Sequence, residues 1–326
     1  MKKAFQFILA AILALQLVPV AVGRDDQIFN YREKKDPPPF QLETLADGLY
    51  LAKGEWGANV GAFVGEDGVF VIDAKATVKG TQKVVDAIAK ISGKPITRIV
   101  FTHSDSDCVN GYGAYPAKAD LIIGLKALNE LMNDLETYLE MDAPIGIYDP
   151  RPKFKLKPAL AFSGELRLRA GSEPIELIQH SRAHTAEDTS VCFPDKGIAF
   201  IGDLAFSDRD PLIQDRKGGM TFGLVTALTT LLEREPPIRL FVPSHAEPMS
   251  RDEIQALVGF IKETYTKVAA LVDAGKSENE VKQVFGIKEP PKKEGLWMWP
   301  PLAMKIYLEL AKKSSLNELR TTKDIR

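Results

Sequence analysis

The chain holds only four histidines, His103, His180, His184 and His245, and three of them stand where a rigid scaffold could aim them. His103 and His245 each follow an apolar run that reads as a buried strand, residues 98–102 and 240–242. His184 lies in a polar turn just before the strand-like run 189–193, and Asp203 ends the apolar run 198–202. Strand ends let side chains converge on a point while the backbone stays fixed. Imidazoles and carboxylates gathered in that way suit a divalent cation.

The segment Thr102-His103-Ser104-Asp105-Ser106-Asp107-Cys108-Val109-Asn110-Gly111 is the densest in such groups. In an extended chain, residues 103, 105 and 107 share one side. The like charges of Asp105 and Asp107 repel unless something neutralises them, and a cation would. The plainer reading is a solvated polar loop, since carboxylates are mostly exposed.

The elements that would carry these residues are legible on both sides. Short strand-like runs at 48–52, 59–64 and 69–73 are separated by turn signals at Gly54, Gly57 and Glu66-Asp67-Gly68. Val84, Val85, Ile88, Ala89 and Ile91 repeat at helical spacing. In the second half, strands are predicted over 173–179 and 189–193 and a helix over 223–233. Residues 196–203 mirror 67–73, each a turn, an apolar strand and a terminal aspartate. Ser250 with Glu253 has the spacing of a capping box, and the chain reads as helical from there on. Two sheet-forming halves with interspersed helices predict an α/β (α+β) chain folded as an αββα sandwich with a helical C-terminal extension.

These motifs resemble the metallo-β-lactamase superfamily. Its main motif, T-H-x-H-x-D-H with a glycine three residues on, is matched by Thr102, His103, Asp107 and Gly111. Asp105 and Cys108 stand where histidines are usual. Ala183-His184-Thr185, Phe200-Ile201-Gly202-Asp203 and Pro243-Ser244-His245 match the later motifs in order. The resemblance implies a first metal site of His103, Asp105 and His184. It implies a second of Asp107, Cys108 and His245, with Asp203 bridging. It also implies one or two zinc ions, with iron or manganese as alternatives, and Asp107 orienting a metal-bound hydroxide.

Asp and Cys both ligate zinc, so the two departures alter the site without emptying it. With Cys108 as thiolate they add two negative charges to the family's set. A weaker Lewis acid is then expected, with slower hydrolysis, a raised pH optimum or use of a harder metal. Trp56, Asn59, Tyr112 and Arg182 are candidate substrate contacts, each with an ordinary packing or ion-pair alternative. His180 reads as structural, with a supporting role behind the ligands as the alternative. Trp297 and Trp299 could close a pocket wall. Cys108 and Cys192 are the only cysteines. A disulfide between them is not expected, because Cys192 lies well down its strand from the ligand end.

Residues 1–23 have the layout of a signal peptide: Met1-Lys2-Lys3, an uncharged apolar stretch, then Ala21-Val22-Gly23 before Arg24. An uncleaved membrane anchor is the alternative, and both place the main domain outside the cytoplasm, periplasmic or secreted. Residues 24–41 read as a linker, 42–250 as the main domain and 251–326 as the extension. Removing 1–23 leaves 40 basic against 44 acidic residues, a charge of −4 that gives nucleic acid no footprint. A small-molecule substrate is expected. The expected function is hydrolysis of an ester, thioester or amide, β-lactams included. The rivals are a non-haem iron oxidoreductase acting on sulfur compounds and a metal-poor binding protein.

Overall fold

The structure is a computed structural model that describes residues 28–30, 36–139, 158–288, 296–298 and 300–323. The signal segment, half of the linker, the Trp297 side chain and Trp299 lie outside the described residues.

Two strands sit apart from the rest. β1 (Ile28–Asn30) falls in the segment read as linker and pairs antiparallel with a short strand at Leu296–Met298. The stretch after Ser250 is therefore not helical throughout.

The first large sheet contains β2 (Gln41–Ala46), β3 (Leu49–Lys53), β4 (Val60–Val64), β5 (Val69–Ile72), β6 (Ile96–Val100), β7 (Asp120–Gly124) and β8 (Pro158–Phe162), in that spatial order. The second contains β9 (Glu165–Ala170), β10 (Glu173–Ser181), β11 (Glu187–Phe193), β12 (Ile198–Gly202), β13 (Leu240–Pro243) and β14 (Met249–Ser250), again in order. The Leu296–Met298 strand is β15. Helices α1 (Val78–Ile91), α2 (Ser106–Val109), α3 (Leu125–Leu139), α4 (Thr221–Leu232), α5 (Arg251–Asp273), α6 (Glu278–Val284) and α7 (Leu302–Lys323) complete the chain.

Alternation along the strands builds three cores. In β5, Phe70 and Ile72 face the second sheet, while Val69 and Val71 face α1 and α3. In β12, Ile198 and Phe200 enter the inter-sheet core, while Ala199 and Ile201 pack under α4, α5 and α7. A strand covered on both faces has no room for polar residues, which explains the unbroken apolar runs. The layers run helix, sheet, sheet, helix, as the alternating pattern predicts.

Ser250 caps α5 through both halves of the capping box it forms with Glu253. Ile254, Val258, Ile261 and Val268 of α5, with Leu302, Ala303 and Ile306 of α7, share one core with Leu204, Leu228 and Phe241. Cys192 belongs to this layer and Cys108 to the opposite one, and both are free.

β5 and β6 run parallel, as do β12 and β13, so each pair delivers its C-terminal ends to the same side of its sheet. His103, Asp203 and His245 follow β6, β12 and β13, and His184 lies in the turn from β10 to β11.

Truncation of a fully buried ring should report on the outer core. Phe241→Ala is expected to cost about 3–5 kcal/mol. Lys262→Ala on the exposed face of α5 should stay within about 0.5 kcal/mol. Urea unfolding of the two variants checks this.

Candidate metal centre

Each loop that carries a ligand candidate is held by bonds that leave its donor atom pointing inward. Asp73, at the end of β5, accepts from the Thr102 backbone N–H and from its hydroxyl, both at 2.8 Å. That hydroxyl accepts from His103 Nδ1 at 2.9 Å, which leaves Nε2 as the free lone pair. His184 Nδ1 donates to the Leu212 carbonyl at 2.8 Å, with the same result. Buried Asp188 accepts from the backbone and hydroxyl of Thr185 and so pins the His184 turn. Thr189 N donates to Thr102 O at 2.7 Å and joins the two sheets beside the site. Gly111 is required where it stands: a Cβ there would meet the Lys75 carbonyl oxygen at 2.6 Å.

The result is a compact set of donors. One donor atom from each of His103, Asp105, His184 and Asp203 lies within 4.8 Å of the others. His184 Nε2 is 3.2 Å from Asp105 Oδ2 and 3.6 Å from Asp203 Oδ2, and His103 Nε2 is 3.8 Å from both oxygens. Among the described residues this is the one group of three or more such side chains close enough to hold an ion. His245 Nε2 pairs with Asp107 Oδ2 at 3.0 Å and lies 3.8 Å from Asp203 Oδ1. Asp203 thus stands between the two assemblies. Its Oδ1 is buried and has no hydrogen-bond partner. A buried carboxylate oxygen left unsatisfied is costly, and a cation is the partner this donor set fits. Cys108 lies 3.7 Å from His103 Nε2 and 3.9 Å from Ser244 Oγ, outside the four-residue group. Burial, followed by Asp107, drives its thiol well above the usual range, so without a cation it stays protonated.

The other candidate contacts stand in different places. Asn59 donates its amide to the carbonyls of Pro243 and Ala246 at 3.1 and 2.9 Å and clamps the His245 turn. Trp56 is half-buried on the same loop, whose Ala58 N–H donates to the Asp107 carbonyl. Tyr112 packs edge-on against Phe101 and Tyr115 in the outer core. Arg182 is exposed and donates to the Gly218 carbonyl. His180 is buried against Ser190 Oγ at 2.9 Å, and burial drives its pKa down to about 4. It is a neutral structural residue apart from the donor cluster. Phe206 stacks on His245, with ring planes 7° apart and centroids 5.9 Å apart.

Two residues missed by sequence reasoning touch Asp105. Lys217 Nζ reaches Asp105 Oδ1 at 2.9 Å, and Gln214 Nε2 donates to Oδ2. Nothing in the spacing of residues 212–220 points to the main motif, more than a hundred positions earlier. The charge balance drawn from sequence therefore changes. Lys217 offsets the carboxylate that replaces a histidine, so the expected excess of negative charge is smaller by one.

Burial alone would neutralise Asp105, but the His184 hydrogen bond and the charges of His103 and Lys217 outweigh it and hold its pKa well below the usual range. Burial likewise opposes charge on His184, yet Asp105 and Asp203 carry its pKa up to about 10. Against the same burial, Asp203 and Asp107 carry His245 to about 9.

A sequence model described as the metallo-beta-lactamase superfamily matches residues 54–245. The chain belongs to that superfamily. A metallo-beta-lactamase from Pontibacter korlensis has a similar fold, with a TM-score of 0.56 and 16% identity over 68% of this chain and 99% of that one. A double mutant of the sec-alkyl sulfatase PisA1 superposes with a TM-score of 0.64 and 13% identity, covering 82% of this chain. The match spans 49% of the sulfatase's length. No curated protein matches in sequence.

With raised pKa values, the metal-free fold keeps protons on His184 and His245 that the unfolded chain loses near pH 6.5. Their stabilising contribution is full below about pH 6.5 and is lost as pH rises through 9 to 10. A cation takes the neutral rings, so binding must expel protons. At pH 7.5, Zn²⁺ binding should release ~1–2 protons. Calorimetric titration in buffers of different ionisation enthalpy counts them, and zero release would contradict the paired geometry.

Proposed function

We propose that this chain is an exported metal-dependent hydrolase that cleaves an ester, thioester or amide bond in a small molecule. The observation that carries this reading is the convergence of His103, Asp105, His184 and Asp203, with the unsatisfied Asp203 Oδ1 facing His245. The superfamily is mostly hydrolytic, in keeping with that site. The four-residue group would hold a first ion. Asp107 and His245, with Asp203 between the groups and Cys108 nearby, would serve a second.

Zinc is the expected metal, and iron or manganese suits the same two-nitrogen, two-oxygen set. A bound metal would supply Lewis acidity, activating water and polarising a carbonyl. The chain's own residues do the rest. Asp107, held by His245, would accept a proton from the attacking water. Asp203 holds the two assemblies in register. The loop from Glu55 to Asn59 packs on the Asp107 backbone and would contact substrate through Trp56, with Arg182 further out. Export rests on the layout of residues 1–23, and a mature protein beginning at Arg24 in the periplasmic or secreted fraction would support it.

Elemental analysis of protein purified from its native compartment tests the metal. A panel of esters, thioesters, amides and β-lactams tests the reaction. An alkyl sulfate belongs in the panel because the sulfatase shares the fold. Activity should vanish on chelation and return with metal. Asp107→Asn should lower kcat by about 10²-fold or more while the four-residue group keeps its ion. Iron together with oxygen uptake on a persulfide would replace the hydrolase reading with an oxidoreductase. A protein that holds no metal would leave only the binding-protein reading.

A further inference from the structure

Lys305 has no place in the chemistry above, yet it is among the most deeply buried charged residues of the chain, at 2% exposure. It lies on α7, the last helix among the described residues, two hundred positions after Asp105. Its ammonium forms an ion pair with Asp215, lies 3.4 Å from Glu309 on its own helix and donates to the Gly219 carbonyl at 3.4 Å. Glu309 in turn accepts from the Thr221 backbone N–H at 2.9 Å. Asp210 accepts from the Leu302 N–H at the start of α7. Segment 210–221 is thus fastened to the helix along its length.

The other side of that segment grips the metal centre. Leu212 O accepts from His184 Nδ1, and Gln214 N donates to His184 O at 2.8 Å. Met220 N donates to the carbonyls of Arg182 and Ala183. The backbones approach so closely that a Cβ on Gly219 would lie 2.1 Å from the His184 carbonyl oxygen. Gln214 and Lys217 then reach both oxygens of Asp105, and Lys217 also donates to Ser104 O and Oγ. Between Lys305 and Asp105 the bonds form one connected set.

We propose that Lys305 is a positioning residue for the metal centre, acting through segment 210–221 to hold Lys217 against Asp105. The lysine occupies Asp105 Oδ1 and offsets its charge, so that a single oxygen, Oδ2, faces the donor cluster. In this way an aspartate presents one donor with reduced charge, much as a neutral imidazole does. The inference rests on the metal-site reading above.

The test uses the full chain with Zn²⁺ and Co²⁺ as probes. Zn²⁺ affinity is read by competition with a chromophoric chelator, and the geometry by the visible bands of bound Co²⁺. Lys217→Met releases Asp105 Oδ1 and removes a cation beside the site. Zn²⁺ should then bind more tightly, roughly tenfold, and the Co²⁺ bands should weaken as a second oxygen joins. Lys305→Met should shift both readouts in the same direction, and Lys305→Arg should restore them. The Lys217→Met/Lys305→Met double variant should go no further than Lys217→Met alone. Asp215→Asn, on the half-exposed partner, gives the same reading should Lys305→Met fail to fold. Additive effects of the two lysines would overturn the proposal. So would weaker Zn²⁺ binding in Lys217→Met, or unchanged affinity and spectra in both Lys305→Met and Asp215→Asn. If the wild type binds neither ion, the metal-site reading itself fails.

Discussion

Mutual repulsion among buried and half-buried carboxylates is the constraint around which this molecule is organised. Asp73, Asp105, Asp107, Asp188 and Asp203 sit together at one end of the sandwich, where little water reaches them. They answer the problem in three ways. Asp73 and Asp188 spend their oxygens on the threonines that anchor ligand-bearing turns, and burial pushes both pKa values up. Asp105 is offset by Lys217 and His184, and Asp107 by His245. Of the five, Asp203 alone keeps a buried oxygen with no hydrogen-bond partner. Charge that the protein does not answer for itself is concentrated at the one carboxylate that stands between the two assemblies.

Backbone strain gathers around the same place. Among the described residues, the non-glycine positions with left-handed φ are Glu55, Asp73, Arg182 and Ala246. Glu55 precedes Trp56, Asp73 anchors Thr102, Arg182 begins the His184 turn, and Ala246 follows His245. Such backbone costs on the order of 1–3 kcal/mol per residue and persists only where its surroundings enforce it. Here the enforcement is visible. Asn59 clamps Ala246, Met220 bonds Arg182, and buried Lys75 holds the Glu55 loop through the carbonyls of Ala52 and Ala58.

The fold and the ligand candidates were legible because both follow local rules. Apolar runs ending in His103, Asp203 and His245 mark covered strands, and the Ser250–Glu253 spacing marks a helix start. What escaped was non-local. Lys217, Gln214 and Lys305 lie in segments whose residue types are ordinary, and their roles come from contacts across 86 to 112 positions. The pairing of β1 with β15 escaped for the same reason, since three-residue strands carry no periodicity to read. Asp73 was half-visible: the mirrored strand ends singled it out, while its use in holding Thr102 could not be inferred from order alone.

The placement of the two cysteines has its own consequence. Cys108 lies under α1 and α3, Cys192 lies under α4, α5 and α7, and both sheets stand between them. Neither thiol can meet the other or a bulky reagent unless its own layer opens. The two sulfurs therefore time different events. The rate at which Cys192 becomes alkylated reads how often its half of the sandwich breathes, whereas alkylation of Cys108 reads access to the ligand end, where it lies beside His103 and Ser244.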